Sequence, residues 1–180
     1  MPKILDNVRA DIIQATREVL SQQGYKKLNI RTIAARCGIA TGTFYNYFQS
    51  KQDVLSTMMA EQWSDMKRRI EAAMDAEQSP MQRLCTIFDE LRQTVVNAHS
   101  IWVEGVPAYL QDCSMAKAQA LKKQMRTEIR GYIHRALVQS VPAERLPVVS
   151  ELISRIFFSY ANDRDIQFDE LWDSMERLIR

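Results

Sequence analysis

Leu28-Asn29-Ile30-Arg31-Thr32-Ile33-Ala34-Ala35-Arg36-Cys37-Gly38-Ile39-Ala40-Thr41-Gly42-Thr43-Phe44-Tyr45-Asn46-Tyr47-Phe48 decides the fold of this chain. Asn29 is a residue type that caps helices, and Ile30, Ile33, Ala34 and Cys37 follow it at helical spacing. Gly38 stops that helix, and a third short helix is expected to begin at Thr41 and close before Ser50. A helix, a glycine-containing turn and a second short helix make the sequence form of a DNA-binding helix-turn-helix. In that motif the first helix braces and the second enters the major groove. Ile33, Ala34, Ile39, Phe44 and Phe48 supply the apolar contacts that lock the pair together.

With Phe44 and Phe48 turned inward, a helical wheel turns Gly42, Thr43, Tyr45 and Asn46 outward and leaves Tyr47 on the flank. Thr43 suits a thymine methyl or a base edge, Asn46 a base edge or phosphate, and Gly42 a close backbone approach. Tyr45, Tyr47 and Lys51 are placed to hold phosphates. With Arg31, Thr32 and Thr41 they form the candidate DNA-contacting set.

Outward from this motif the chain reads as all-α, because apolar residues recur at helical spacing and no β-branched alternation marks a strand. A first helix runs from about Ile4 to Gln23, with Val8, Ile12, Ala15 and Val19 inward and Gly24 as its stop. Ser50-Lys51-Gln52-Asp53 has the form of a capping box. It opens a long helix through Leu55, Met59, Trp63, Met66 and Ile70, expected to join the two halves rigidly. Ser79-Pro80 starts the next helix, a short or kinked one spans Ile101 to Leu110, and another covers about Met115 to Gln139. Two strongly apolar helices end the chain, one over about Ala143 to Tyr160 and one containing Phe168, Leu171, Met175 and Leu178. Leu146, Val149, Ile153, Ile156, Tyr160, Leu171, Met175 and Leu178 present more apolar surface than a small domain is expected to bury. They are the candidate homodimer interface, and the competing reading is that they merely close the monomer's core.

The 180 residues are 46% hydrophobic and 26% charged with five glycines and five prolines, a globular composition that argues against a disordered or collagen-like chain. Residues 1–51 carry eight Lys/Arg against three acids, net +5, which leaves −3 for the rest of a chain whose total is +2. A basic module on an acidic body suits a phosphate-rich partner. Cys37, Cys85 and Cys113 are too few and too scattered for a disulfide framework or a metal motif, and are expected to be reduced core thiols. His99 and His134 have no metal-ligand partner at helical spacing, so no metal and no cofactor are expected. No catalytic motif is present, and an enzyme is not expected. No apolar run approaches the roughly 20 residues of a membrane span, and the first residues lack a signal-peptide core, so the expected location is cytoplasmic.

Ile33-Ala34, Gly38-Ile39-Ala40-Thr41-Gly42-Thr43-Phe44-Tyr45-Asn46-Tyr47-Phe48, Ser50-Lys51 and Leu55 together resemble the signature of tetracycline-repressor (TetR) type regulators. The resemblance covers roughly residues 8 to 57, and the later order of helices is similar to the family's architecture of nine. It implies a helix-turn-helix domain over 1–52 and a ligand-sensing and dimerisation domain over 53–180. It also implies a homodimer joined by the last two helices, and a small molecule bound among the fourth to eighth helices that changes the spacing of the DNA heads. Trp63, Met66, Phe88, Trp102, Tyr109 and Tyr132 lie on the helices that would surround such a ligand, although each also suits a core. The expected function is a repressor released from a palindromic operator on double-stranded DNA by an unidentified inducer. An activator and a ligand-free helical adaptor for another protein are the alternatives.

Overall fold

The computed structural model describes residues 7–75, 79–97, 115–163 and 165–179. Within them lie eight α-helices and no strand: α1 (Val8–Gln23), α2 (Ile30–Cys37), α3 (Thr41–Tyr45), α4 (Lys51–Met74), α5 (Pro80–Asn97), α6 (Met115–Leu137), α7 (Leu146–Tyr160) and α8 (Phe168–Ile179). A short 3-10 turn, Tyr25–Lys27, follows α1. The helix expected over Ile101 to Leu110 lies outside the described residues. The all-α expectation holds, and no described helix is long and apolar enough to cross a membrane.

Local chemistry accounts for several helix ends. Asn29 accepts a hydrogen bond from the Thr32 amide at 2.9 Å and so starts α2. At the other end Gly38 adopts φ +67°, its amide donating to the carbonyl of Ala35 and the Ile39 amide to that of Ala34. That paired closure needs a left-handed residue, which glycine supplies without a Cβ penalty. Ser79 and Gln82 cap α5 reciprocally: the Gln82 amide donates to Ser79 Oγ at 3.3 Å and the Ser79 amide to Gln82 Oε1 at 2.9 Å. Ser50 accepts from the Asp53 amide at 3.1 Å, while the Asp53 carboxylate reaches back to the Gln49 amide at 3.0 Å. Gly38→Ala is expected to cost about 1–2 kcal/mol, the penalty of a left-handed L-residue, with Gly38→Asn costing less. Urea denaturation measures it, and an unchanged midpoint would contradict the capping role.

Two boundaries differ from the expected ones. The penultimate helix starts at Leu146 rather than Ala143, with Pro147 in its first turn. Begun three residues earlier, it would have placed Pro147 where an amide must donate and where the ring meets the preceding turn's carbonyl. Residues 142–145 instead form a turn closed by the Arg145 and Leu146 amides on the Pro142 carbonyl. The third helix is regular only to Tyr45, after which bonds from Asn46 to Thr43 and from Tyr47 to Phe44 tighten the chain. Thr41, Gly42 and Thr43 are poor helix formers, and the tightened turn brings Phe48 back into the core.

The chain divides into two compact units, with the boundary between Gln62 and Trp63 inside α4. In the first, α1 packs on α2 and α2 on α3. Its core is Ile12, Val19, Leu20, Leu28, Ile33, Ala34, Phe44 and Phe48, with Val54, Leu55 and Met58 from the start of α4 also buried. Arg36 of α2 pairs with Glu18 of α1 at 3.0 Å and with Gln22 at 2.6 Å. The guanidinium beside it holds the Glu18 carboxyl below the usual carboxylate range. In the second unit α6 packs along α5 and α7, and α8 on α5 and α7. Phe88, Phe157 and Phe168 meet at its centre, with ring centroids 5.1 to 6.4 Å apart.

Candidate nucleic-acid interface

The helix-turn-helix sorts its aromatic residues by face. Phe44 and Phe48 are buried with centroids 6.0 Å apart, whereas Tyr45 and Tyr47 are 56% and 44% exposed. The phenylalanines anchor the short α3 and its following turn, and the two tyrosines stand in solvent with their hydroxyls free to meet an acceptor such as a phosphate oxygen. Thr41, Gly42 and Asn46 are exposed and Thr43 is half-buried, so a threonine, a glycine and an asparagine share the surface with the two rings. A Cβ added at Gly42 would meet nothing within 4 Å, so the fold itself does not require glycine there. Close approach by something outside the chain is a reason for it.

The cations of this unit fall into two groups. Arg36 is occupied by Glu18 on the bracing side, and Arg9 pairs with Glu61 at 3.5 Å while lying 5.3 Å from the Phe48 ring centroid. Arg31, Lys26 and Lys27 are exposed. Lys51, the first residue of α4, holds its Nζ 4.6 Å from the Tyr25 ring centroid, an arrangement that steadies a long side chain yet leaves its charge at the surface. Thr32 gives its amide to Asn29 and keeps its half-buried side chain on α2. The whole candidate DNA set thus lies within the first unit, and most of it is exposed.

Cys37 is half-buried in the same unit, its thiol 3.5 Å from the Asp11 carbonyl, and burial pushes its pKa up. Cys85, in the second unit, is pushed up to about 11 by burial and then by Asp89. Both are half-buried free thiols; Cys113 lies outside the described residues. No group of three or more metal-ligating side chains occurs among the described residues.

The candidate ligand set lies in the second unit. Met66 and Phe88 are fully buried, Phe88 as part of the phenylalanine cluster. Trp63 is nearly so and donates through Nε1 to Glu128 at 2.7 Å. Tyr132 is buried beneath the Arg135 guanidinium, 4.9 Å from its ring centroid, and its phenol is pushed up to about 12, chiefly by burial and then by Glu71. Tyr132 borders a groove it shares with Lys67, Glu71, Glu128, Gly131 and Arg135. Trp102 and Tyr109 lie outside the described residues.

The expected dimer residues differ in their burial. Leu146, Val149 and Ile153 of α7 and Leu171 and Met175 of α8 are buried within their own chain. Ile156 and Tyr160 are half-buried, and the Leu178 side chain lies outside what is described. The exposed apolar side chains of α7 are Val148 and Leu152, at 62% and 42%, four residues apart on one stripe. The outer face of α8 is polar, carrying Asp169, Glu170, Asp173 and Arg177.

Residues 12–58 match the model for bacterial regulatory proteins of the tetR family. Over 151 residues the chain is 26% identical to the HTH-type transcriptional repressor KstR of Mycobacterium tuberculosis, covering 84% of this chain and 68% of that one. It is 27% identical over 90 residues to the fatty acid metabolism regulator protein of Bacillus subtilis, spanning 50% of this chain and about half, 46%, of the relative. Among solved structures, a TetR/AcrR-family regulator from Thermobifida fusca superposes with a TM-score of 0.70 at 18% identity, covering 97% of each chain. FadR of Bacillus subtilis in complex with stearoyl-CoA gives a TM-score of 0.64 at 18% identity over 94% of this chain and 97% of that one.

Proposed function

The chain belongs to the TetR family of bacterial regulatory proteins, and from that premise we propose that it is a homodimeric repressor released from a palindromic operator by a small-molecule inducer. The observation that carries the reading is the outward face of α3 and its following turn, where Gly42, Tyr45, Asn46 and Tyr47 are exposed, Thr43 is half-buried, and the open space around Gly42 leaves its lack of a side chain unexplained by the fold. Thr43 and Asn46 read base edges there, while Tyr45, Tyr47, Lys51 and Arg31 hold phosphates and fix the register. Thr32 and Thr41 flank them. Residues 1–52 serve as the DNA head and 53–180 as the sensing and dimerising body, and the protein works in the cytoplasm without catalysing a reaction.

One five-residue α3 reads only a few base pairs, so selectivity against a genome needs two heads, and two-fold symmetry makes the operator a palindrome. The stripe of Val148 and Leu152 is the face we assign to the second copy, since these are the large apolar side chains that α7 leaves in water. Leu152→Glu combined with Val148→Glu is expected to give a folded monomer with much weaker operator binding. Ile153→Glu, at a fully buried position, is expected to unfold the body instead. Light scattering and circular dichroism separate the two; a double variant that stays dimeric removes this face.

An inducer acts only by binding the non-DNA-competent arrangement better, and about 1–3 kcal/mol of such preference changes operator affinity roughly 5- to 150-fold. Long-chain acyl-CoA is the first ligand to try, because the Bacillus subtilis FadR structure holds stearoyl-CoA. The primary test is binding of the purified protein to fragmented DNA from its own genome at low and raised salt, with the retained fragments sequenced. One palindromic sequence near a promoter, lost with a steep salt dependence, is the expected result. Retention without sequence preference at any salt would overturn the reading and move the adaptor alternative ahead.

A further inference from the structure

We propose that the cleft between α6 and α7 binds a phosphate-bearing small molecule through Arg126 and Arg130. The cleft measures about 440 Å³ and is lined by Thr127, Arg130, Gly131, His134, Pro147 and Ser150, a size suited to a small molecule. Arg130 ties this lining to a charged cluster: the Glu151 carboxylate, next in sequence to the lining Ser150, faces three guanidiniums, Arg155 at 2.9 Å, Arg130 at 3.5 Å and Arg126 at 3.7 Å. One carboxylate cannot discharge three cations, and three positive charges against one negative leave the cluster at +2. Arg155, one turn along the same helix, makes the short bond. Arg126 and Arg130, 44% and 46% exposed, therefore keep most of their forked N–H donors unspent.

The neighbouring acids do not restore the balance. Glu151 is the only acid of α7, and Glu128, the only acid of α6, is taken up by Lys67 at 3.1 Å and by Trp63 Nε1 at 2.7 Å. Gly131 is the second, independent observation. A glycine in mid-helix lowers helix stability relative to alanine, yet a Cβ at this position would meet nothing within 4 Å. It borders the α6–α7 cleft and also a groove of about 350 Å³ lined by Lys67, Glu71, Glu128, Tyr132 and Arg135. No contact within the chain explains a glycine there, whereas an occupant lying on the helix backbone does. The Arg130 guanidinium, the Thr127 hydroxyl and the His134 imidazole in the lining, with Arg126 one helical turn before Arg130 and sharing its partner Glu151, match the several acceptor oxygens of a phosphate or diphosphate.

The site deepens the proposed small-molecule response, and its test is run without DNA so that failure of the site and failure of the regulator reading remain distinguishable. Inorganic pyrophosphate is titrated into the full chain by calorimetry and thermal shift, against chloride at matched ionic strength. Saturable binding is expected, weakened about tenfold or more when Arg126→Gln and Arg130→Gln remove two charge-assisted forks. Gly131→Leu should block the floor and abolish binding. Glu151→Gln should tighten it, because the competing carboxylate is gone; an ion-pair network with a purely structural role would leave affinity unchanged. Stabilisation equalled by chloride, or affinity indifferent to all three changes, overturns the proposal. So does a Gly131→Leu chain that still binds pyrophosphate but changes its oligomeric state, which would make this face a contact between copies.

Discussion

Phe44→Ala is expected to lower the stability of the N-terminal unit by about 3–5 kcal/mol and with it to abolish DNA binding. Phe44 is fully buried, stands edge-on to Tyr45 at 5.8 Å and packs on Phe48 at 6.0 Å. Its helix has five residues, far below the length at which a helix holds itself together in water, so α3 exists because this ring is seated in the core. Truncation removes the ring's burial and leaves a cavity that the short helix cannot fill without shifting. Against a total stability of about 5–15 kcal/mol for a typical domain, such a loss leaves the unit partly unfolded. Amide exchange across residues 7–62 reads the change directly. Protection in α2 and α3 equal to that of the wild type would refute the anchoring role.

The elements that were legible in the sequence are those fixed by local chemistry. Asn29, Gly38 and Ser79 mark helix ends because an amide oxygen, a missing Cβ and a hydroxyl act on bonds within four residues of themselves. The helix-turn-helix was legible for the same reason, since Phe44 and Phe48 are one helical turn apart and define which residues must face outward. The inward face of α7 was not. That helix carries Leu146, Val149, Ile153 and Phe157 on one side and Val148 and Leu152 on another, so apolar periodicity alone cannot say which side meets its own chain. In α8 the sequence shows one apolar stripe, and nothing local reveals that the monomer already covers it.

The α6–α7 cleft was hidden for a related reason. Arg126, Arg130 and Arg155 read as solvated charges until Glu151, over twenty residues from the first two, is seen among them. Gly131 gave a local signal, a glycine inside a helix, but its meaning depends on the space around it. Pairs such as Arg135 with Glu71 at 2.7 Å join residues far apart in the chain and leave no pattern that periodicity detects.

Gly42→Glu is expected to separate DNA binding from folding more sharply than any truncation. The position is exposed and a Cβ there meets nothing within 4 Å, so the chain can accommodate a side chain. Replacing a helical glycine by alanine adds about 1 kcal/mol of helix propensity; Gly42→Ala should therefore fold at least as well as the wild type. The glutamate carries a negative charge from the same backbone position into the surface where phosphates and base edges are proposed to lie. It both props α3 away from the groove and repels the backbone, and a loss of about 1–3 kcal/mol, roughly 5- to 150-fold in affinity, is expected. Fluorescence anisotropy on the recovered operator measures the loss, and thermal melting of the free protein checks the fold. If Gly42→Glu melts like the wild type and binds the operator equally well, the outward face of α3 does not touch DNA. If both melting and binding collapse, Gly42 is required by the chain itself, contrary to the open space around it. Preserved melting with lost binding, alongside a Gly42→Ala chain that melts no lower, is the outcome that the geometry of α3 demands.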